Sequence, residues 1–286
     1  MKYLIIAFVF CGNLAAQTTV IDCNTDLNLL NSLVLKGKNS EALLLSADML
    51  QSAKCKPFND SIYFLRGLSF YQQQKFDSAI LNLLKVKQPD TLTVHAQFLA
   101  SLNMVYNSKL QSSISILNKI QTNDILLKEL LALQKSGNCL LLRDFSGFTE
   151  NSNKFSYSYY TIQGEEKKLL EARDLLTSNH FKSPAKAAWL SVIIPGAGKW
   201  YSKSRGKAVA AFLTVAVLSS ITAEQAIKRG WKHYGTWTMA SATGVFYMGN
   251  IYGSYYQAKQ YNKKLEQEID EKIRYNMHVS LRNVYY

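Results

Sequence analysis

Tyr63-Phe64-Leu65-Arg66-Gly67-Leu68-Ser69-Phe70, continued by Ala79-Ile80-Leu81-Asn82-Leu83 and closed by Pro89, is the stretch on which the fold turns. Its apolar residues recur at helical spacing, so it reads as two short amphipathic helices joined by a polar turn. Gly67 is placed where the two helices cross closely, and Ala79 where the second packs into that crossing. A larger side chain at either position would push the helices apart. From about Asp26 to Arg173 the chain keeps this texture, with Asn, Asp, Ser and Lys turns and few alternating β-branched runs.

A shift of 34 residues carries the two small positions to Ser101 and Ser113, and Leu83 to Leu117. A less regular copy precedes the clear one, with Ala42 in its second helix and the Lys54–Asp60 loop, containing Pro57, after it. Beyond Asp124, residues 125–142 supply a further first helix, and the Ser-, Asn- and aromatic-rich Phe145–Tyr160 breaks the pattern. The spacing resembles the tetratricopeptide repeat, with a non-repeating helical bundle as the alternative. That resemblance implies stacked helix pairs, packed through Gly67, Ala79, Ser101 and Ser113, around a groove that takes a protein partner.

The whole chain has 286 residues, 48% of them hydrophobic, with only 14 Gly and 4 Pro, which excludes a collagenous or disordered chain. Its formal charge of +13 is unevenly spread. Residues 1–181 carry +3, residues 182–264 carry +11 with Glu224 as their one acid, and residues 265–286 carry −1. The basic groups flank the longest uncharged runs instead of forming a face, which points to lipid headgroups and away from nucleic acid.

Met1-Lys2, the apolar run Tyr3–Phe10 and the small-residue end at Ala15-Ala16-Gln17 have the form of a secretory signal peptide over residues 1–17. Phe10 before Cys11 argues against lipidation. The following domain, residues 18–181, is therefore expected outside the cytoplasm, in the periplasm of a bacterial cell. There Cys23 and Cys55, which flank the first helix pair, form the candidate disulfide, against free thiols as the alternative.

Residues 182–264 read as a membrane domain. Ala187–Gly198 is an uncharged run of about 18 Å if helical, short of the roughly 30 Å hydrocarbon core, and Pro195-Gly196 stops it. Spans are expected over about 208–227 and 234–258, with Gly249-x-x-x-Gly253 allowing close helix approach. Whether 187–201 crosses stays open. Crossing would set Lys199, Lys203, Arg205, Lys207, Lys259, Lys263 and Lys264 on the inner side against Lys228, Arg229 and Lys232, while length opposes crossing. Residues 265–286 form an amphipathic tail with Tyr261, Leu265, Ile269 and Ile273 on one stripe and Glu268→Lys272 and Asp270→Arg274 as supporting pairs. His278–Tyr286 fits a strand or a frayed end equally.

The string Ser183-Pro184…Leu190-Ser191-x-x-x-Pro195-Gly196-x-Gly198-x-x-Tyr201, with Gly249-Asn250-Ile251-Tyr252-Gly253 and Tyr261-Asn262 later, resembles a bacterial integral-membrane module related to the two-transmembrane-helix domain family. The resemblance covers about 80 residues. It implies a membrane location, with Pro195, Gly196, Gly198, Tyr201, Asn250 and Gly253 as fold-forming positions, and no catalytic role. Asn250 is expected to hydrogen-bond a neighbouring helix or the Pro-Gly turn.

No nucleophile-with-base pattern, metal-ligand spacing or phosphate loop appears; at Gly198-Lys199, Ile193 stands where such a loop needs glycine and Trp200 replaces its Ser/Thr. Isolated acids such as Glu129 and Asp144 read as solvated helix faces. The fold expected is all-α, a tetratricopeptide-like domain followed by a helical membrane domain. The function expected is a non-enzymatic membrane-anchored scaffold in envelope assembly, without cofactor or metal, binding a protein partner and membrane lipids. The alternative is a membrane enzyme or carrier acting on lipid or envelope precursors.

Overall fold

The computed structural model describes residues 22–87, 91–178 and 181–285. Every regular element among the described residues is helical. The expected leader over residues 1–17, with Cys11, and Pro89 lie outside the described residues.

The chain divides into two compact units, one ending at Asn107 and the other beginning at Ser108. The first holds α1 (Cys23–Leu35), α2 (Asn39–Gln51), a 3₁₀ turn (Ala53–Phe58), α3 (Asn59–Gln72), α4 (Phe76–Leu83) and α5 (Thr91–Tyr106). Leu30, Ala42, Met49, Ile62, Ala79, Leu83, Phe98 and Leu102 are buried in it. A Cβ on Gly67 would stand 2.6 Å from Leu83 Cγ and 3.4 Å from the Ala79 carbonyl oxygen, so α3 and α4 touch backbone to side chain at that crossing. Cys23 and Cys55 form a disulfide that ties α1 to the 3₁₀ turn, with Cα atoms 5.3 Å apart.

The second unit holds α6 (Leu110–Leu117), α7 (Ile125–Leu141), α8 (Phe145–Ser152), α9 (Gln163–Thr177), α10 (Pro184–Ile193), α11 (Ala197–Tyr201), α12 (Arg205–Arg229) and α13 (Tyr234–Tyr285). Three helix starts are fixed by side chains that accept orphan backbone N–H groups: Asp124 from Leu127, Asp144 from Gly147, and Ser183 from Lys186, the last with Pro184 in the first turn. The broken pattern after Asp144 is a short helix followed by an irregular stretch.

One turn type recurs along the helical half. Gly37, Gln74, Ser108 and Arg143 all have left-handed φ between 58° and 69°. After three of them the next backbone N–H closes onto a carbonyl five residues back: Lys38 to Leu33, Lys75 to Phe70 and Asp144 to Cys139. Three of the four positions are not glycine, so the sequence carries no turn signal there.

Helix α13 has 52 residues and is about 78 Å long at 1.5 Å per residue. Its first half runs antiparallel to α12: Lys207 Nζ donates to Gln257 Oε1 at 3.1 Å, and the Thr222 and Thr243 hydroxyls lie 2.9 Å apart. Its second half packs against α7 and α9. The boundary expected at 181–182 therefore does not separate compact bodies, because residues 265–285 continue α13 without a break and pack onto the helices before it.

Candidate functional site

The Pro195-Gly196 element builds a hairpin whose close approaches demand small residues. Gly196 has φ +86°, and a Cβ there would overlap the Ala208 carbonyl oxygen. At Gly198 a Cβ would overlap the Ala187 carbonyl oxygen and stand 2.7 Å from Ser191 Oγ. In place of that Cβ runs a buried relay: Gly198 N–H donates to Ser191 Oγ (3.0 Å), Ser191 Oγ to Ser254 Oγ (2.7 Å), and Ser254 Oγ to the Asn250 carbonyl (2.9 Å). Each donor has one acceptor, so α10, α11 and α13 are registered by a chain of directed bonds.

The hairpin returns to where it started. Ser183 N–H donates to Tyr201 Oη at 3.3 Å, and the Lys182 and Lys186 ammonium groups lie 4.8 and 5.5 Å from the Tyr201 ring centre. Asn262 brackets Lys182, accepting from its N–H at 2.7 Å and donating to its carbonyl at 2.8 Å. At the far end Tyr247 Oη donates to the Val192 carbonyl. The segment 187–201 thus doubles back within the second unit.

Two expectations about the small and polar residues here change. The Asn250 side chain does not bond the Pro-Gly turn. It is 4% exposed, neither its Nδ2 nor its Oδ1 has a hydrogen-bond partner, and Ser191 and Ser254 do the joining instead. Gly249 does not serve close helix packing, because a Cβ there would meet nothing within 4 Å; at Gly253 it would meet only the Lys199 stem, 3.5 Å away. Gly249 and Asn250 instead line a cleft of about 540 Å³ between α12 and α13, with Lys199, Lys207, Thr214 and Val245.

Helix α12 is the one described helix long and apolar enough to cross a membrane, and only 11% of its apolar window is buried. Phe212, Leu213, Val217, Trp237, Phe246 and Met248 on α12 and the first half of α13 are all exposed. An uncovered apolar surface of this extent marks a lipid or protein interface.

The second half of α13 is held differently. Ile269, Ile273, Met277 and Leu281 are buried at four-residue spacing, extending the expected stripe two turns beyond Ile273. Gln134 Nε2 donates to the Met277 carbonyl (2.7 Å) and to Ser280 Oγ (3.1 Å). A Cβ on Gly137 would stand 2.5 Å from Met277 Sδ. Asp270 pairs with Arg143 at 2.7 Å and Glu268 lies 3.8 Å from Lys264, so neither acid is spent on the local pairs expected from spacing. The last residues, expected as strand or fray, are helical through Tyr285, with Met277, Val279, Ser280 and Leu281 buried in this packing.

Of the two isolated acids, Asp144 is exposed as expected, whereas Glu129 is not solvated. Glu129, 4% exposed, accepts from the Ser156 and Tyr157 backbone N–H groups at 2.6 and 3.2 Å and from the Ser156 hydroxyl at 2.8 Å. Burial alone would raise its pKa, and these bonds together with one from Glu166 outweigh that and lower it. Glu166 is fully buried; burial, then the neighbouring Glu129, pushes its pKa up to about 8. The surroundings thus push the two carboxyls in opposite directions, Glu129 down and Glu166 up. Asp144 is the α8 cap. Glu129 clamps the irregular stretch after α8 to α7, and its nearness to Glu166 was invisible in sequence because the two residues lie 37 positions apart.

In the first unit, Tyr63, Arg66 and Phe70 of α3 face Leu50, Leu81 and Lys85 across a groove of about 430 Å³. Arg66 is anchored, donating to Ser46 Oγ at 3.0 Å and the Leu43 carbonyl at 3.2 Å, while Leu81 is 65% exposed. Of the four repeat positions, Gly67 and Ala79 meet at the α3–α4 crossing; Ser101 and Ser113 are fully buried in α5 and α6. Cys139 is a buried free thiol, its pKa raised to about 11 by burial. No group of three metal-ligating side chains occurs among the described residues.

No protein family matches the chain, and neither does any curated protein or solved structure.

Proposed function

We propose that the chain is a membrane-anchored scaffold of a bacterial cell envelope, whose exported helical domain binds a protein partner. The observation that carries this reading is the double life of α13. Its first half, with α12, leaves an apolar surface uncovered, and its second half is buried against α7 and α9. A helix shared in this way joins the proposed lipid-embedded hairpin directly to α7 and α9 of the second unit.

In this reading α12 and residues 234–258 cross the bilayer, 187–201 enters and returns on the domain side, and the Gly230–His233 connection lies on the opposite side. The recurring left-handed turns and the Gly67–Ala79 crossing support tetratricopeptide-like stacking. The α2–α4 groove, with its aromatic and basic lining, is the proposed partner site, as in other helix-pair arrays. Two considerations oppose each other over orientation. The Cys23–Cys55 disulfide belongs in an oxidising compartment, whereas the excess of Lys and Arg on the domain side would ordinarily mark the cytoplasmic face. We give the disulfide more weight, because charge biases insertion by increments and an anionic partner can neutralise the surplus.

A photo-crosslinking residue at Leu81, inside the groove, is expected to trap one discrete protein in intact cells, with yield lost on Tyr63→Ala. The same residue at Leu35, exposed on α1 and not lining the groove, is expected to trap none. Equal products from both positions would refute the assignment of the groove.

A further inference from the structure

We infer that the α12–α13 cleft is a binding site for one anionic phospholipid, with its phosphate on Lys199 and Lys207 and its acyl chain laid inward along α12. The inference rests on the membrane reading above and assigns that membrane module a specific ligand.

Three observations converge on it. Asn250 is buried with both ends of its amide unpartnered, an arrangement that is unfavourable unless a ligand supplies the bonds. The cleft it lines is about 540 Å³, within the roughly 300–1,000 Å³ range of small-molecule sites. Its lining is graded. Lys199 and Lys207 stand at one end, where Lys207 meets Gln257 near the basic residues around 259–264. Val215, Val245 and Phe246 stand toward the hairpin's middle. A phospholipid has the same order along its length: charge, then glycerol oxygens, then hydrocarbon. Asn250 sits between the lysines and the apolar wall, where its Nδ2 can donate to ester or phosphate oxygens.

Gly249 leaves this space open, since a Cβ there would meet no atom within 4 Å. No acid lines the cleft, so the two ammonium groups there have no carboxylate partner within it. Such a ligand also neutralises part of the positive charge on the domain side, which is otherwise unfavourable on an exported face.

The test uses the full-length protein purified in mild detergent and titrated with phosphatidylglycerol or phosphatidylcholine of matched chains, with bound lipid counted by native mass spectrometry. One phosphatidylglycerol is expected to bind at least tenfold more tightly than phosphatidylcholine. Lys199→Gln with Lys207→Gln is expected to weaken it about thirtyfold, from about fivefold per surface lysine. Gly249→Leu, which fills the cleft without a clash, is expected to abolish binding while leaving the thermal midpoint unchanged. Equal binding of the two lipids, wild-type affinity in Gly249→Leu, or full displacement of the lipid by millimolar inorganic phosphate would each overturn the assignment. Alkaline carbonate extraction of the same membranes separates the two claims: protein that stays with the membrane yet fails these criteria sinks the lipid site alone, and protein released without detergent sinks the membrane reading first.

Discussion

Replacing Gly198 by alanine tests the hairpin at its tightest point. The new methyl would overlap the Ala187 carbonyl oxygen and stand 2.6 Å from that carbonyl's carbon, both backbone atoms of α10 that have no rotamer to escape into. Relief requires α11 to move outward by about 1 Å or more, which stretches the 3.0 Å Gly198 N–H···Ser191 bond past useful length. Overpacking of this kind costs about 1–3 kcal/mol, and a buried donor left unpaired about 1–3 kcal/mol more. The helix-propensity gain of alanine over glycine returns at most about 1 kcal/mol, so a net loss of about 2–4 kcal/mol is expected. Gly206→Ala is the control, because a Cβ there meets nothing within 4 Å. Thermal unfolding in detergent, followed by the fluorescence of Trp189 and Trp200 beside the turn, should fall by roughly 5–10 °C for Gly198→Ala and hold or rise for Gly206→Ala. Equal midpoints for the two variants would refute the close approach of α10 and α11.

Met277→Ala removes a fully buried side chain from the seat of α13 on α7 and is expected to cost about 2–5 kcal/mol, read as increased hydrogen exchange in residues 269–281 while residues 240–255 stay unchanged. The Glu129–Glu166 pair predicts a pH dependence with a definite sign. Glu166 binds its proton more tightly folded than unfolded, so its contribution is full below about pH 4.5 and is lost as pH rises toward about 8. Glu166→Gln removes the titrating group, so denaturant midpoints that decline from pH 5 to 8 in the wild type should flatten in the variant; parallel profiles would contradict the raised Glu166 pKa. Replacing Cys23 and Cys55 by serine opens a crosslink between residues 32 apart in sequence, and chain entropy puts the loss at about 3–4 kcal/mol, measurable as a lower unfolding midpoint for residues 22–107.

What the sequence disclosed followed from how local each feature is. Helical periodicity and the small residues at Gly67 and Ala79 are statements about one or two turns, and they were readable in the order they occur. So was the tight turn at Pro195-Gly196, where backbone sterics leave few alternatives. The continuity of α13 was not readable, because nothing in Lys263–Leu265 distinguishes a helix that ends at a membrane surface from one that runs on into a domain. What decides it is tertiary: Gln134, Gly137 and Arg143 meet Met277 and Asp270 across more than 120 residues of sequence. Glu129 looked solvated for the same reason, its partner and the clamped Ser156–Tyr157 backbone being distant in the chain. Asn250 was legible as unusual, an amide in an apolar run, but its environment was not. Serines 191 and 254 take the bonds that Asn250 was expected to make, and leave it buried without a partner.

The two sides of α13 provide the most direct trial of the account. Trp231, beyond the end of α12, is 66% exposed, and Tyr275, beside α9, is 60% exposed, while Cys139 is buried and Cys23 and Cys55 are bonded to each other. Single cysteines placed at 231 and 275 in sealed vesicles, challenged with a membrane-impermeant maleimide before and after permeabilisation, should react from opposite sides. Labelling of both positions from the same side, or of both in the absence of any membrane, would contradict it.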